Sequence, residues 1–273
     1  MPALRFKQVD VFTEKPLFGN PVAVVIGGEG LDTATMQRIA AWTNLSETTF
    51  LLPSDKADYR LRIFTPRREL PFAGHPTLGS AHAALEAGFV TKKQKLKQEC
   101  LAGVLDLQVE EGEIFVRGPR AKVTAIDAKP PVQLVSAPLR VDVGVVWAIG
   151  EVADAIMLAE LEPDPARITD FSNAIDAAGL ALFAPSRDGV SAIHVRAFAP
   201  AHGIPEDPVT GSANVAIPSY LREKKYLERF GRSYVARQGM QVGRDGRVSV
   251  RIADDGDWIG GRSVTCVEGS LKI

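Results

Sequence analysis

Two cysteines and four histidines in 273 residues leave little material for several kinds of chemistry. Cys100 and Cys266 stand far apart with no CxxC context, so neither a disulfide framework nor a structural zinc site can be built from them. The histidines are scattered and no HExxH occurs, so no metal is expected. No Walker loop, GxGxxG or GxSxG is present, which leaves phosphate cradling, dinucleotide binding and a nucleophile elbow unsupported. Charge of one sign is also missing: 32 basic and 33 acidic residues give a net charge of −1, without the basic surplus of a nucleic-acid binder. The one basic run, Lys92, Lys93, Lys95 and Lys97, reads as a solvated loop or helix end. No apolar stretch reaches the roughly 20 residues of a membrane span. The start, Met1 to Asp10, alternates apolar and polar residues and has no signal-peptide core, so a cytoplasmic location is expected.

What the chain does have is apolar material. Hydrophobic residues make up 45%, enough to offset ordering entropy and exclude a disordered chain. The length suits one large domain or two of about 130 residues.

Strand signals dominate. Leu4 to Phe12, Pro21 to Ile26, Thr48 to Leu52 and Tyr59 to Thr65 read as strands, the last in strict alternation. Thr33 to Thr43 has helical spacing, with Met36, Ile39 and Ala40 on one face and Asp32 as N-cap. Pro76 to Ala87 reads as a helix with proline in its first turn. Leu105 to Val109 and Ile114 to Arg117 flank Glu111-Gly112 as a hairpin. The proline-rich stretch Ala125 to Pro138 is the best linker. It divides the chain into domains 1–124 and 125–273, with the final strand a candidate to return to the first. Beyond it, Val141 to Ile149 reads as one buried strand, Asp154 to Leu161 and Ile168 to Gly179 as helices, and Gly179 to Ala184 and Ile193 to Ala199 as strands. Gly211 to Leu221 reads as a helix, followed by strands at Val248 to Ile252 and Ser263 to Glu268.

A faint repeat links the halves. Ile63-Phe64-Thr65-Pro66 followed by Ala73-Gly74-His75-Pro76-Thr77 parallels Ala197-Phe198-Ala199-Pro200 followed by Thr210-Gly211-Ser212-Ala213. In each, a strand runs into a proline-bearing loop and a glycine opens a small-residue helix. Helix N-termini expose free N–H groups and suit a carboxylate.

Four residues could carry chemistry. Glu47, between an apolar helix and an apolar strand, is either a surface residue or a carboxylate aimed into a site. If buried, desolvation fits it for acid and base work near neutral pH. His75, at a helix entry, is either a capping or packing residue or an imidazole kept neutral by the helix dipole. His82 reads as structural, and His194 and His202 have no partner that the sequence names. Asp207 and Ser212 sit in Glu206-Asp207-Pro208-Val209-Thr210-Gly211-Ser212, either as a capped loop or as a carboxylate and hydroxyl aimed at a ligand.

Together these segments resemble the PhzF-like family of phenazine biosynthesis, relatives of diaminopimelate epimerase. The resemblance runs from Val9-Asp10-Val11-Phe12-Thr13 and Phe18-Gly19-Asn20-Pro21-Val22 through Ser46-Glu47-Thr48-Thr49-Phe50 to Gln238-Gly239 and Ile259-Gly260-Gly261. It is strongest in Phe72-Ala73-Gly74-His75-Pro76-Thr77-Leu78-Gly79-Ser80-Ala81-His82 and Gly203-Ile204-Pro205-Glu206-Asp207-Pro208-Val209-Thr210-Gly211-Ser212-Ala213. It implies an α+β fold of two pseudo-symmetric domains, each a curved, mostly antiparallel sheet around a central helix, with the active site in the cleft between them. It implies a cofactor-free isomerase in which Glu47 moves a proton within a small, cyclic and unsaturated carboxylic acid. His75 and Asp207 accompany Glu47, and Gly74, Pro76, Thr77, Gly211, Ser212 and Ala213 bind the substrate. Gly74 and Asp207 occupy the positions of the two epimerase thiols, which disfavours two-thiol chemistry. Asn214 stands where relatives often carry a histidine, implying an altered pocket wall. The alternatives are an amino- or hydroxy-acid epimerase or racemase and a small-molecule-binding protein that has lost the chemistry. A homodimer is the expected assembly, because apolar surface strands in such folds often pair.

Overall fold

The computed structural model describes residues 3–273; Met1 and Pro2, part of the alternating start, lie outside the described residues. The chain divides into two compact units. The first runs to Arg117 and takes back Gly260–Ile273, and the second is Gly118–Ile259.

In the first unit the elements are β1 (Ala3–Val11), β2 (Asn20–Ile26), α1 (Thr33–Thr43), β3 (Thr48–Leu52), β4 (Tyr59–Phe64), β5 (Glu69–Leu70), α2 (Gly74–Glu86), β6 (Lys95–Cys100), β7 (Gly103–Glu110) and β8 (Glu113–Arg117). The C-terminal strand Ser263–Lys272 pairs antiparallel with β1. Two pairings are parallel, β2 with β3 and β4 with β6. Each is bridged by a helix, as a parallel pair requires. Both helices follow from local chemistry. In α1 the Asp32 carboxylate accepts from Thr35 N, Asn44 ends the helix in the left-handed region, and Met36, Ile39 and Ala40 are buried. They pack with Val25, Phe50, Leu52 and Phe64 as a layer on one face of the sheet. Helix α2 is enclosed instead, packing against β1, β2, β3, β4, β8 and the C-terminal strand. Small residues make this possible: a Cβ on Gly79 would stand 2.5 Å from Val22 Cγ1 and 2.8 Å from Val11 Cγ2.

The second unit holds β9 (Lys122–Ala125), β10 (Leu139–Asp142), β11 (Val146–Glu151), α3 (Ala155–Glu160), α4 (Pro165–Ala174), β12 (Gly179–Pro185), β13 (Ile193–Ala199), β14 (Ile204–Asp207), α5 (Gly211–Glu223), β15 (Ser233–Gln238) and β16 (Gly246–Ile252). Its pairing order matches that of the first unit. The parallel pair β11–β12 spans α3 and α4, the parallel pair β13–β15 spans α5, and the neighbouring pairs are antiparallel. Helices α3 and α4 cover one face through Leu158, Ile168 and Phe171, while α5 packs against β10, β11 and β16. The faint sequence repeat is thus a whole-unit repeat of topology, and the expected α+β architecture of helix-centred, mostly antiparallel sheets is observed.

Several expectations need correction. The division falls at Arg117/Gly118, not at 124/125, because Lys122–Ala125 pairs with Leu139–Asp142 inside the second unit. The proline-rich stretch is no linker: Ile126, Ala128, Val132 and Leu134 pack on the α3–α4 core. The single strand expected at 141–149 is a hairpin, turned where Asp142 Oδ1 accepts from Gly144 N at 2.9 Å and Gly144 takes φ 86°. Helix α4 begins earlier than expected, at Pro165, because Asp164 caps it and proline suits its first position. The basic run is half strand: in β6 the exposed lysines alternate with buried Leu96 and Gln98.

Candidate active site

In the first unit, Glu47 immediately precedes β3, and its carbonyl accepts from Ala23 N of β2 at 3.2 Å, which pins its Cα to the ladder. Thr43 and Thr48 hydroxyls meet at 2.6 Å and brace the approach. The Thr49 hydroxyl meets that of Ser80 at 2.8 Å, tying β3 to α2. This brings Glu47 to the start of α2, where its Oε2 lies 3.2 Å from His75 Nε2, at angles outside hydrogen-bond geometry. The Glu47 side chain is 15% exposed, yet Oε2 itself is buried. Desolvation pushes its carboxyl up to about 7, against a smaller downward pull from the Ser46 hydroxyl. A carboxyl that exchanges its proton near neutral pH, beside an imidazole, can act both as base and as acid.

The first turn of α2 has no capping side chain on Ala73, so the amides of Gly74 and His75 are not satisfied by the N-cap side chain. Pro76 is buried and lacks an N–H that would be orphaned there. Thr77 is fully buried, and its hydroxyl accepts from Gln98 Nε2 at 3.1 Å, while Gln98 Oε1 accepts from Tyr59 OH at 3.0 Å.

In the second unit, Asp207 ends β14, and its Oδ2 accepts from Thr210 Oγ1 at 2.6 Å. Thr210 is the N-cap of α5 but makes no side-chain cap bond, so the Gly211, Ser212 and Ala213 amides again open a helix without one. Ser212 Oγ accepts from Trp147 Nε1 at 2.9 Å. Buried Gln238 Oε1 accepts from Thr210 N and Asn214 Nδ2. Buried Asn214 is thus part of this brace. Trp147 and Gln98 carried no functional sign in the sequence: each is a strand residue known by its partner alone.

Two of the other histidines brace the structure. His82 Nε2 meets Thr265 Oγ1 at 3.2 Å. His194 has partners that the sequence did not name, Ser186 at 3.0 Å and Asp188 at 3.5 Å. Both use the same ring nitrogen, so this is a loop brace and not a triad, which would need both nitrogens. His202 is exposed. Cys100 and Cys266 are free thiols outside the motifs, and burial raises the pKa of both. Among the described residues no three His, Cys, Asp or Glu side chains gather as a metal site, and no helix is long and apolar enough to cross a membrane.

Two helix-centred units of repeated topology, one with a buried carboxyl beside a histidine at a helix N-terminus, make up an epimerase-like fold. A hydroxyproline epimerase from Agrobacterium vitis shares the fold, with a TM-score of 0.64 at 16% identity over 98% of this chain and 92% of that one. The family model described as "Phenazine biosynthesis-like protein" matches residues 9–269, and the chain belongs to that family. Trans-2,3-dihydro-3-hydroxyanthranilate isomerase of Pseudomonas chlororaphis is 32% identical over 97% of this chain and 98% of its own. Antisense-enhancing sequence 1 of Schizosaccharomyces pombe is 37% identical over 98% of each. The crystal structure of a Bacillus anthracis phenazine biosynthesis protein of the PhzF family superposes with a TM-score of 0.89 at 28% identity, covering all of both chains.

Proposed function

We propose that Glu47 moves a proton between carbons of a small, cyclic, unsaturated carboxylic acid of the dihydro-hydroxyanthranilate kind. The observation that carries this is the enclosed Glu47 carboxyl, pushed up to about 7, with Oε2 3.2 Å from His75 Nε2. Glu47 takes a proton from a carbon acidified by the adjacent unsaturated system, and the same carboxyl returns it to another carbon on the same face. One group working in both directions balances the reaction: the carboxyl gains one proton and gives one up, and exchange with solvent between the two steps lets deuterium enter at the new carbon. His75 and Asp207 orient the substrate's amino and hydroxyl groups. The amides of Gly74 and His75, those of Gly211 to Ala213 and the Ser212 hydroxyl offer donors to its carboxylate.

The test is solvent exchange. The protein is incubated in D₂O with trans-2,3-dihydro-3-hydroxyanthranilate and a panel of amino and hydroxy acids, and deuterium is located by NMR for wild type and Glu47→Gln. Label entering a new carbon with the wild type only is the expected result. Label at the original carbon with inversion points to an epimerase. Full turnover by Glu47→Gln would show the assignment to be wrong.

A further inference from the structure

We propose that Thr210 and Gln238 are positioning residues that present the Asp207 carboxylate to the substrate's amino group as a hydrogen-bond acceptor. The proposal rests on the function proposed above and extends it to two side chains that touch Asp207 rather than the substrate.

The argument is one of donor and acceptor direction. Gln238 is fully buried. One end of its amide faces Thr210 N at 3.0 Å, a group that can only donate. The other end faces the Asp207 carbonyl at 3.0 Å, a group that can only accept. The orientation is therefore forced: Oε1 lies toward Thr210 N and Nε2 toward the Asp207 carbonyl. The Asn214 amide adds a second donor to Oε1 at 3.1 Å. Nε2 then gives its remaining proton to Thr210 Oγ1 at 2.8 Å. With that proton received, the Thr210 hydroxyl directs its own proton to Asp207 Oδ2 at 2.6 Å. The chain runs one way, from the Gln238 amide through the hydroxyl to the carboxylate. It fixes the plane of the Asp207 carboxylate. Gly239 holds Gln238 in place. It has φ 101°, and a Cβ there would meet the Pro208 carbonyl and lie 2.8 Å from Arg244 Cβ. Only glycine brings this strand end so close to the Asp207 loop.

The test compares two stable probes, 3-hydroxyanthranilate and 3-hydroxybenzoate, which differ by the amino group. Affinities are measured by calorimetry for wild type, Thr210→Val and Thr210→Ser, with thermal melts confirming that each variant folds. The wild type should prefer the amino-bearing probe. Thr210→Val, nearly isosteric but without the hydroxyl, should lower that preference about tenfold, as loss of a charge-assisted hydrogen bond implies. Thr210→Ser should restore it. Equal weakening of both probes in Thr210→Val marks a merely structural role and overturns the proposal, as does an unchanged preference or a wild type that binds neither probe. Glu47→Gln separates the two readings. Unimpaired solvent exchange there, together with selective loss in Thr210→Val, sinks the acid–base assignment and keeps the positioning pair; blocked exchange with an unchanged preference does the reverse.

Discussion

Replacing Glu47 by glutamine should stabilise the protein at pH 8.5 and leave its stability nearly unchanged at pH 4. Burial raises the Glu47 carboxyl from an ordinary 4.5 to about 7 in the folded chain. Below pH 4.5 the folded and unfolded chains both keep the proton, and the group adds no difference. Between pH 4.5 and 7 the unfolded chain releases it while the folded chain holds it. The unfolded state then binds fewer protons, so stability falls as pH rises, the reverse of a salt-bridged carboxylate. Above pH 7 the whole cost applies. At about 1.4 kcal/mol per tenfold, moving from 4.5 to about 7 amounts to about 3 kcal/mol. Glutamine has no such charge to bury. Urea denaturation of wild type and Glu47→Gln at pH 4, 6 and 8.5 measures the difference, and other titrating groups cancel between variants. A gap of roughly 2–3 kcal/mol that opens across pH 4.5–7 is expected. A gap that does not vary with pH refutes the idea that Glu47 carries a desolvated, titrating carboxyl.

The rate should depend on the same ionisation: kcat/KM for proton abstraction rises with pH to a plateau above about 7, and Glu47→Asp, with its shorter reach to His75, lowers kcat more than it changes KM. Trp147→Phe keeps the packing but removes the donor to Ser212; substrate KM should rise about fivefold, while a titration showing unchanged affinity would mean that Ser212 needs no fixed orientation. Gly79→Ala forces a Cβ against Val22 and Val11 where α2 crosses the sheet, and should cost about 1–3 kcal/mol in denaturation experiments despite alanine's better helix propensity.

Much of the fold was written locally. Helix α1 was legible to the residue, from an Asp32 cap and the spacing of Met36, Ile39 and Ala40, and β13 was equally plain from its apolar run. The turn Glu111-Gly112 needs positive φ at both positions, and the chain supplies φ 49° and 86° there. The motif loops before α2 and α5 stood out because glycine and proline constrain the backbone within a few residues. Their roles as strand-to-helix entries, repeated in the two units, followed from the same constraint. Signals of this range fix caps, turns and periodicity, because each acts within a turn or two of chain.

Partners distant in sequence were a different matter. Nothing around Lys95 says that Leu96 and Gln98 face a core, since that depends on β4 lying alongside. The proline-rich stretch near Val132 reads as a linker until the α3–α4 layer offers its apolar residues a surface. Glu47 illustrates the limit most clearly. Its sequence context allowed either a surface carboxylate or one aimed into a site, and whether it is desolvated turns on how much water its neighbours exclude. Burial by elements remote in the chain, with His75 brought within 3.2 Å, moves the carboxyl to about 7. The residue types and their motif loops were the sequence's to determine; desolvation, hydrogen-bond direction and pKa are properties of what packs around a group, and the tertiary structure alone decided them.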